Sequence, residues 1–78
     1  MEKEMPTIDI VQTGMNIKEK MKAAGKTAED IRKACGFTSR NAVYKWIKGT
    51  CMPTIDNMVI IADACGTTID EIIIIKRA

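Results

Sequence analysis

The chain has 78 residues, enough for one domain, and at this length only about 60–65% of the unfolded surface becomes buried, so a deep catalytic cleft is not expected. A hydrophobic share of 46% fits a folded domain rather than a disordered one. The formal charge is only +2, yet residues 31–55 hold Arg32, Lys33, Arg40, Lys45 and Lys48 and no acid, while the remainder holds seven basic and ten acidic residues.

That asymmetry either directs a positive face at a polyanion or marks an ordinary solvated surface. The opening "MEKEMP" is charged and mixed in sign, with no apolar signal segment behind it. "TIDIVQ" alternates apolar and polar residues over a short window, a strand signal. A first helix is predicted to begin near Thr13–Asn16, with Ile17, Met21 and Ala24 on one face and Gly25 as its stop. Thr27 and Asp30 announce a second helix, a relative of the capping box, which carries Ile31, Ala34 and Cys35 and ends at Gly36.

A turn through Phe37 leads to a third helix, capped by either Thr38 or Ser39, which runs to Lys48 and stops at Gly49. After "TCMP", Thr54 caps a fourth helix. Its Ile55, Met58, Val59 and Ala62 are spaced i, i+3, i+4, i+7 and are predicted to face the core. Thr68 and Glu71 form a capping box for a fifth helix. The β-branched run Ile72–Ile75 has three open assignments: a strand pairing with the early alternating segment, a cover for the core, or a dimer interface. The expected organisation is an arm over residues 1–12, the site of any early strand, a helical body over 13–74 and a tail over 75–78.

The chain has three cysteines and no histidine. Cys35, Cys51 and Cys65 lack the paired spacing of a zinc site, so no metal or cofactor is expected. They are read as reduced, Cys35 and Cys65 as small core hydrophobes, which fits a cytoplasmic protein. No glycine-rich phosphate loop, cysteine–base pair or isolated carboxylate pair stands out. Asp70–Glu71 already has an explanation in a helix cap. No catalytic residue is expected. The apolar runs, Ile72–Ile75 among them, are far too short to span a bilayer.

The third helix carries the chemistry. Ala42, Val43, Trp46 and Ile47 form its apolar side. Asn41, Tyr44, Lys45 and Lys48 fall on one outward stripe, and Arg40 sits at its start. A helix reading a DNA major groove needs such a stripe. Asparagine pairs with adenine N6 and N7, and arginine with guanine O6 and N7. Lys45 and Lys48 suit phosphates, and Tyr44 suits either a thymine methyl or a phosphate. The short capped helix before it, across a glycine-containing turn, completes a helix-turn-helix pattern. The amino end of that earlier helix offers backbone N–H groups to a phosphate.

These residues also resemble a family. "AVYKW.KG", Pro53, "TIDN", Ala62 and "DEI", in that order and spacing, look like the Cro and lambda-repressor-like helix-turn-helix family, also called the XRE family. With "GMNIKEKMKAAG" in front, the likeness covers about four fifths of the chain. It implies an all-α, compact five-helix domain whose second and third helices read DNA; short extended ends remain one of the open assignments for the two termini. Carried residue by residue, it puts Arg40 and Asn41 at the start of the reading helix, Lys45 on a basic position before the tryptophan, and Thr50 in a loop that touches phosphate. With the stripe's own chemistry, the candidate base readers are Arg40, Asn41 and Tyr44. The candidate phosphate contacts are Lys45, Lys48, Thr50, Ser39 and the amino end of the second helix at Thr27 and Ala28. Three features depart from the family pattern. Ala28 stands where members have a phosphate-contacting glutamine, a role left to Lys26 or Thr27. The turn "GFTSR" is one residue longer. Met21 and Ile47 replace an Arg–Glu pair and are expected to touch, an exchange that avoids desolvating two charges.

The leading expectation is a small prokaryotic or phage repressor-type regulator that binds double-stranded DNA. One domain of this size makes few phosphate contacts, so a homodimer on a two-fold site is inferred from the mechanism. A protein-interaction module on the same fold, such as an antitoxin or regulatory subunit with a protein partner, is the alternative.

Overall fold

Asp9 is the hinge between the extended start of the chain and its first helix. A computed structural model describes residues 5–77, so residues 1–4 of the expected arm and residue 78 of the expected tail lie outside the described residues. Strand β1 covers Pro6–Ile8 and helix α1 covers Ile10–Ala23. The Asp9 carboxylate accepts the Gln12 N–H at 2.9 Å, which starts the helix well before the expected Thr13–Asn16. Only Thr7 and Ile8 of "TIDIVQ" are therefore strand. An aspartate three residues ahead of a free helix-end N–H outweighs a short alternation.

Helices α2 (Ala28–Cys35), α3 (Asn41–Lys48), α4 (Ile55–Cys65) and α5 (Ile69–Ile72) follow, and strand β2 covers Ile75–Arg77. This is an all-α, five-helix architecture closed by a two-stranded sheet. β1 and β2 pair antiparallel, with Pro6 opposite Arg77, Thr7 opposite Lys76 and Ile8 opposite Ile75. The isoleucine run is thus divided. Ile72 is buried at the end of α5, Ile73 packs against the core, and Ile75 enters the strand. Among the described residues no helix is long and apolar enough to cross a membrane.

The core is Ile17, Met21, Ile31, Val43, Trp46, Met58, Ile61, Ala62 and Ile72. Ile47 packs against the same cluster as Met21. Cys35 and Cys65 are half-buried against it, and burial pushes both thiols up, while Cys51 is exposed; all three are free. α4 is rotated from its predicted face. Ile55 is 68% and Val59 51% exposed, whereas Met58, Ile61 and Ala62 are buried. The helix is apolar on most sides, so residues 58, 61, 62 and 65 match the same spacing as the predicted set. Ala34 is likewise exposed, leaving Ile31 and Cys35 as the inward side of α2.

Two caps exchange their expected strengths. Thr27 and Asp30 form a complete capping box. Thr68 accepts the Glu71 N–H at 3.3 Å, but the Glu71 carboxylate takes the Thr67 hydroxyl at 2.7 Å instead of closing the box.

α1 holds the rest of the chain at two places. Toward α5 and β2, Asn16 Nδ2 donates to the carbonyls of Glu71 at 2.7 Å and Ile72 at 2.9 Å. The Asp9 N–H donates to the Ile74 carbonyl at 2.8 Å, and the Ile74 N–H donates to Thr13 Oγ1 at 3.0 Å. Toward α3, Gly14 lies against the helix's carboxyl end. A β-carbon there would overlap the Trp46 carbonyl oxygen and stand 2.9 Å from that of Ile47. Gly49, left-handed at φ 77°, faces Val11 across the same crossing, where a β-carbon would stand 2.8 Å from the Val11 α-carbon.

Thr13 is fully buried, and its hydroxyl is what the inner backbone of the tail binds. Thr13→Val keeps the shape and removes the acceptor. It is expected to destabilise the fold by about 1–2 kcal/mol, the cost of a buried N–H left unpaired. Urea unfolding checks this; an unchanged midpoint overturns it.

Candidate nucleic-acid interface

The sides of α3 divide as its spacing predicts. Val43 and Trp46 are buried and Ala42 and Ile47 half-buried, while Asn41, Tyr44, Lys45 and Lys48 are exposed. Tryptophan anchors the helix by packing on the preceding turn. The Phe37 and Trp46 rings meet edge to face, with centroids 5.8 Å apart. Lys45 and Lys48 occupy the last turn, where positive charge also suits the carboxyl end of a helix.

The N-cap of α3 is Arg40, not Thr38 or Ser39, and its side chain makes no capping bond. Ser39 Oγ instead accepts the Asn41 N–H at 3.4 Å. Arg40, with φ −87° and ψ 3°, stands at the junction of the turn and the helix.

Three shallow hollows meet on this face. One of about 550 Å³ is bordered by Ser39, Arg40, Asn41 and Tyr44, with Glu29 and Arg32 on its far wall. A second of about 500 Å³ is bordered by Asn41, Tyr44, Lys45 and Lys48. A third of about 410 Å³ is bordered by Ser39, Asn41, Lys45 and Cys51 among others. Asn41 borders all three, so it stands at the centre. Thr27, Ala28 and Thr50 lie outside these walls. The Thr50 N–H donates to the Lys45 carbonyl at 2.9 Å, closing the end of α3.

The turn before α3 is held by a group that sequence reading counts only as positive charge. Arg32 Nε and Nη2 donate to the two Glu29 oxygens at 2.9 and 2.7 Å, and Nη1 donates to the Phe37 carbonyl at 2.7 Å. Arg32 is therefore a brace for the turn before α3, and the positive face has one free cation fewer than expected. Its hydrogen bond holds the Glu29 carboxyl below the usual carboxylate range, against a smaller upward effect of burial. Arg40 Nε stands 4.0 Å from the same carboxylate. Glu29 adjoins the acid-free stretch in space although it lies outside it in sequence. Its spacing of three from Arg32 on one helix is the signal that finds the pair.

At the amino end of α2 the Thr27 groups are engaged locally. Its N–H and hydroxyl both donate to Asp30 Oδ2, at 2.8 and 3.0 Å. The Thr27 bonds hold the Asp30 carboxyl below its ordinary value. Ala28 opens the helix, and as first-turn positions its N–H and that of Glu29 have no intrahelical acceptor. The acidic side chains of Glu29 and Asp30 stand beside them.

A helix-turn-helix family model, HTH_3, matches residues 17–72. Among solved structures, the restriction-modification controller protein C.AhdI from Aeromonas hydrophila superposes with a TM-score of 0.72 at 23% identity, covering 82% of this chain and 96% of that one. At that identity the likeness is one of fold. No curated protein matches the chain.

Proposed function

From the premise that this chain belongs to the HTH_3 helix-turn-helix family of DNA-binding transcription regulators, we propose that it is a sequence-specific repressor-type regulator with α3 in the major groove. The observation that supports this most is the exposed stripe of Asn41, Tyr44, Lys45 and Lys48 on a helix whose opposite side is locked into the core by Val43 and Trp46. Arg40, Asn41 and Tyr44 read base edges, and Ser39, Lys45, Lys48 and Thr50 hold phosphates. Thr27 and Ala28 add backbone contact at the amino end of α2, weakened by the two acids there. Two copies on a two-fold site, half-sites one helical turn apart, supply the affinity that one small domain lacks.

A second reading is a protein-interaction module on the same fold. It is favoured by Ile55 and Val59, one turn apart on α4 and both largely exposed.

Selection from a random duplex library, followed by affinity measurements across salt concentrations, separates the two. A reproducible, nearly palindromic site with steep salt dependence supports the regulator. No enrichment, with binding only at low salt, moves the weight to the interaction module. Within the first outcome, Lys45→Ala is expected to weaken all duplexes alike and to lower the salt slope by about one. Titration of both duplex types at several salt concentrations checks it.

A further inference from the structure

Glu29 is out of place beside a surface meant for phosphate. A carboxylate there repels the backbone it faces, and bracing the turn through Arg32 explains only part of its setting. Its Oε1 atom, already receiving Arg32 Nε, also faces Arg40 Nε at 4.0 Å. The Glu29 and Arg40 side chains retain 43% and 54% exposure and border the same hollow as Asn41 and Tyr44. Arg40 has no capping role to fix it. Among the described residues Glu29 is its ion partner.

We infer that Glu29 is a positioning residue for base recognition: it holds Arg40 by the Nε edge, so that the two terminal nitrogens face outward as a pair matched to O6 and N7 of one guanine. This rests on the DNA-reading function proposed above. The chemistry follows from the shape of the guanidinium, a planar fork of five donors. With Nε turned to a carboxylate, the remaining bidentate edge is the one at the tip. A flexible, exposed arginine would otherwise lose rotamer freedom on reaching a base, so a braced one binds with less ordering cost. The negative charge also lowers attraction for any duplex. Glu29 therefore trades general affinity for discrimination.

The test uses purified full chains carrying E29A, R40A or R32Q. Each is titrated with the selected duplex and with copies changed one base pair at a time. The wild-type chain is expected to prefer guanine at one position per half-site, and R40A to lose that preference. E29A is expected to lower it about ten-fold while binding random duplex as well as the wild type or better. R32Q removes the turn brace and leaves Glu29 entirely to Arg40, so the guanine preference is retained even if overall affinity falls. A brace alone predicts the reverse pattern, with R32Q and E29A alike. Guanine preference kept in E29A and lost in R40A overturns the inference and leaves the DNA reading intact. Guanine preference kept in R40A overturns it by removing Arg40 as a reader. A wild-type chain that enriches no site removes the function and the inference together.

Discussion

Gly14→Ala is expected to destabilise the protein by about 2–4 kcal/mol and to abolish tight DNA binding. At an ordinary exposed position inside a helix the same change is favourable by roughly 0.5–1 kcal/mol, because glycine loses more freedom on folding. The sign reverses here because the added methyl meets backbone. The overlapping atom is the Trp46 carbonyl oxygen, and the next is the Ile47 oxygen at 2.9 Å. Neither can rotate away as a side chain would. The Trp46 carbonyl also accepts the Gly49 N–H at 3.1 Å at the end of α3. Relief requires α1 to move off α3, and α3 carries the proposed contacts. Urea unfolding gives the stability and titration of the selected duplex the binding. A more stable Gly14→Ala protein overturns the close crossing.

Asn41→Ala is expected to lose about 1–3 kcal/mol on the selected site and almost nothing on random duplex. Asn41 is exposed and borders all three hollows on the face. Its side chain supports no other part of the fold among the described hydrogen bonds, so the melting temperature should not move. The contrast with Lys45→Ala is the point of the measurement. A phosphate contact is shared by every duplex, whereas a paired contact to adenine is not. Equal losses on both duplexes for both variants would cancel the division into base readers and backbone holders.

Features coded by local chemistry were legible in the residues. Gly36 and Gly49 mark the ends of α2 and α3, and the 3.6-residue period of α3 separates Trp46 from Tyr44 correctly. Features set by what packs on them were not. α4 offers two apolar faces with identical spacing that share Met58 and Ala62, and only its neighbours decide that Ile61 goes inward while Ile55 and Val59 stay out. The start of α1 was hidden because Asp9 sits inside a stretch that also alternates like a strand. Gly14 gives no sign of its close contact beyond being a glycine within a helical pattern, a known mark of packing. Of the candidate site, the stripe itself was legible. The Glu29–Arg32 pair was passed over although its spacing of three on one helix announces it, because a local count of charges treats each cation as free. The approach of Glu29 to Arg40 was not legible, since it took the fold to set α2's first turn against the start of α3.

The junction of β1 with β2 bears on how the chain reaches this state. The Ile74–Thr13 bond joins residues 61 positions apart, and the strands pair still more distant ones. Every other element can form from neighbours, α2 with the turn and α3 above all. Closing so long a loop for two three-residue strands costs entropy early and returns little, so it belongs late in folding, after the transition state. Thr13→Val should then leave the refolding rate nearly unchanged and place its whole effect on unfolding, as expected for contacts made after the barrier.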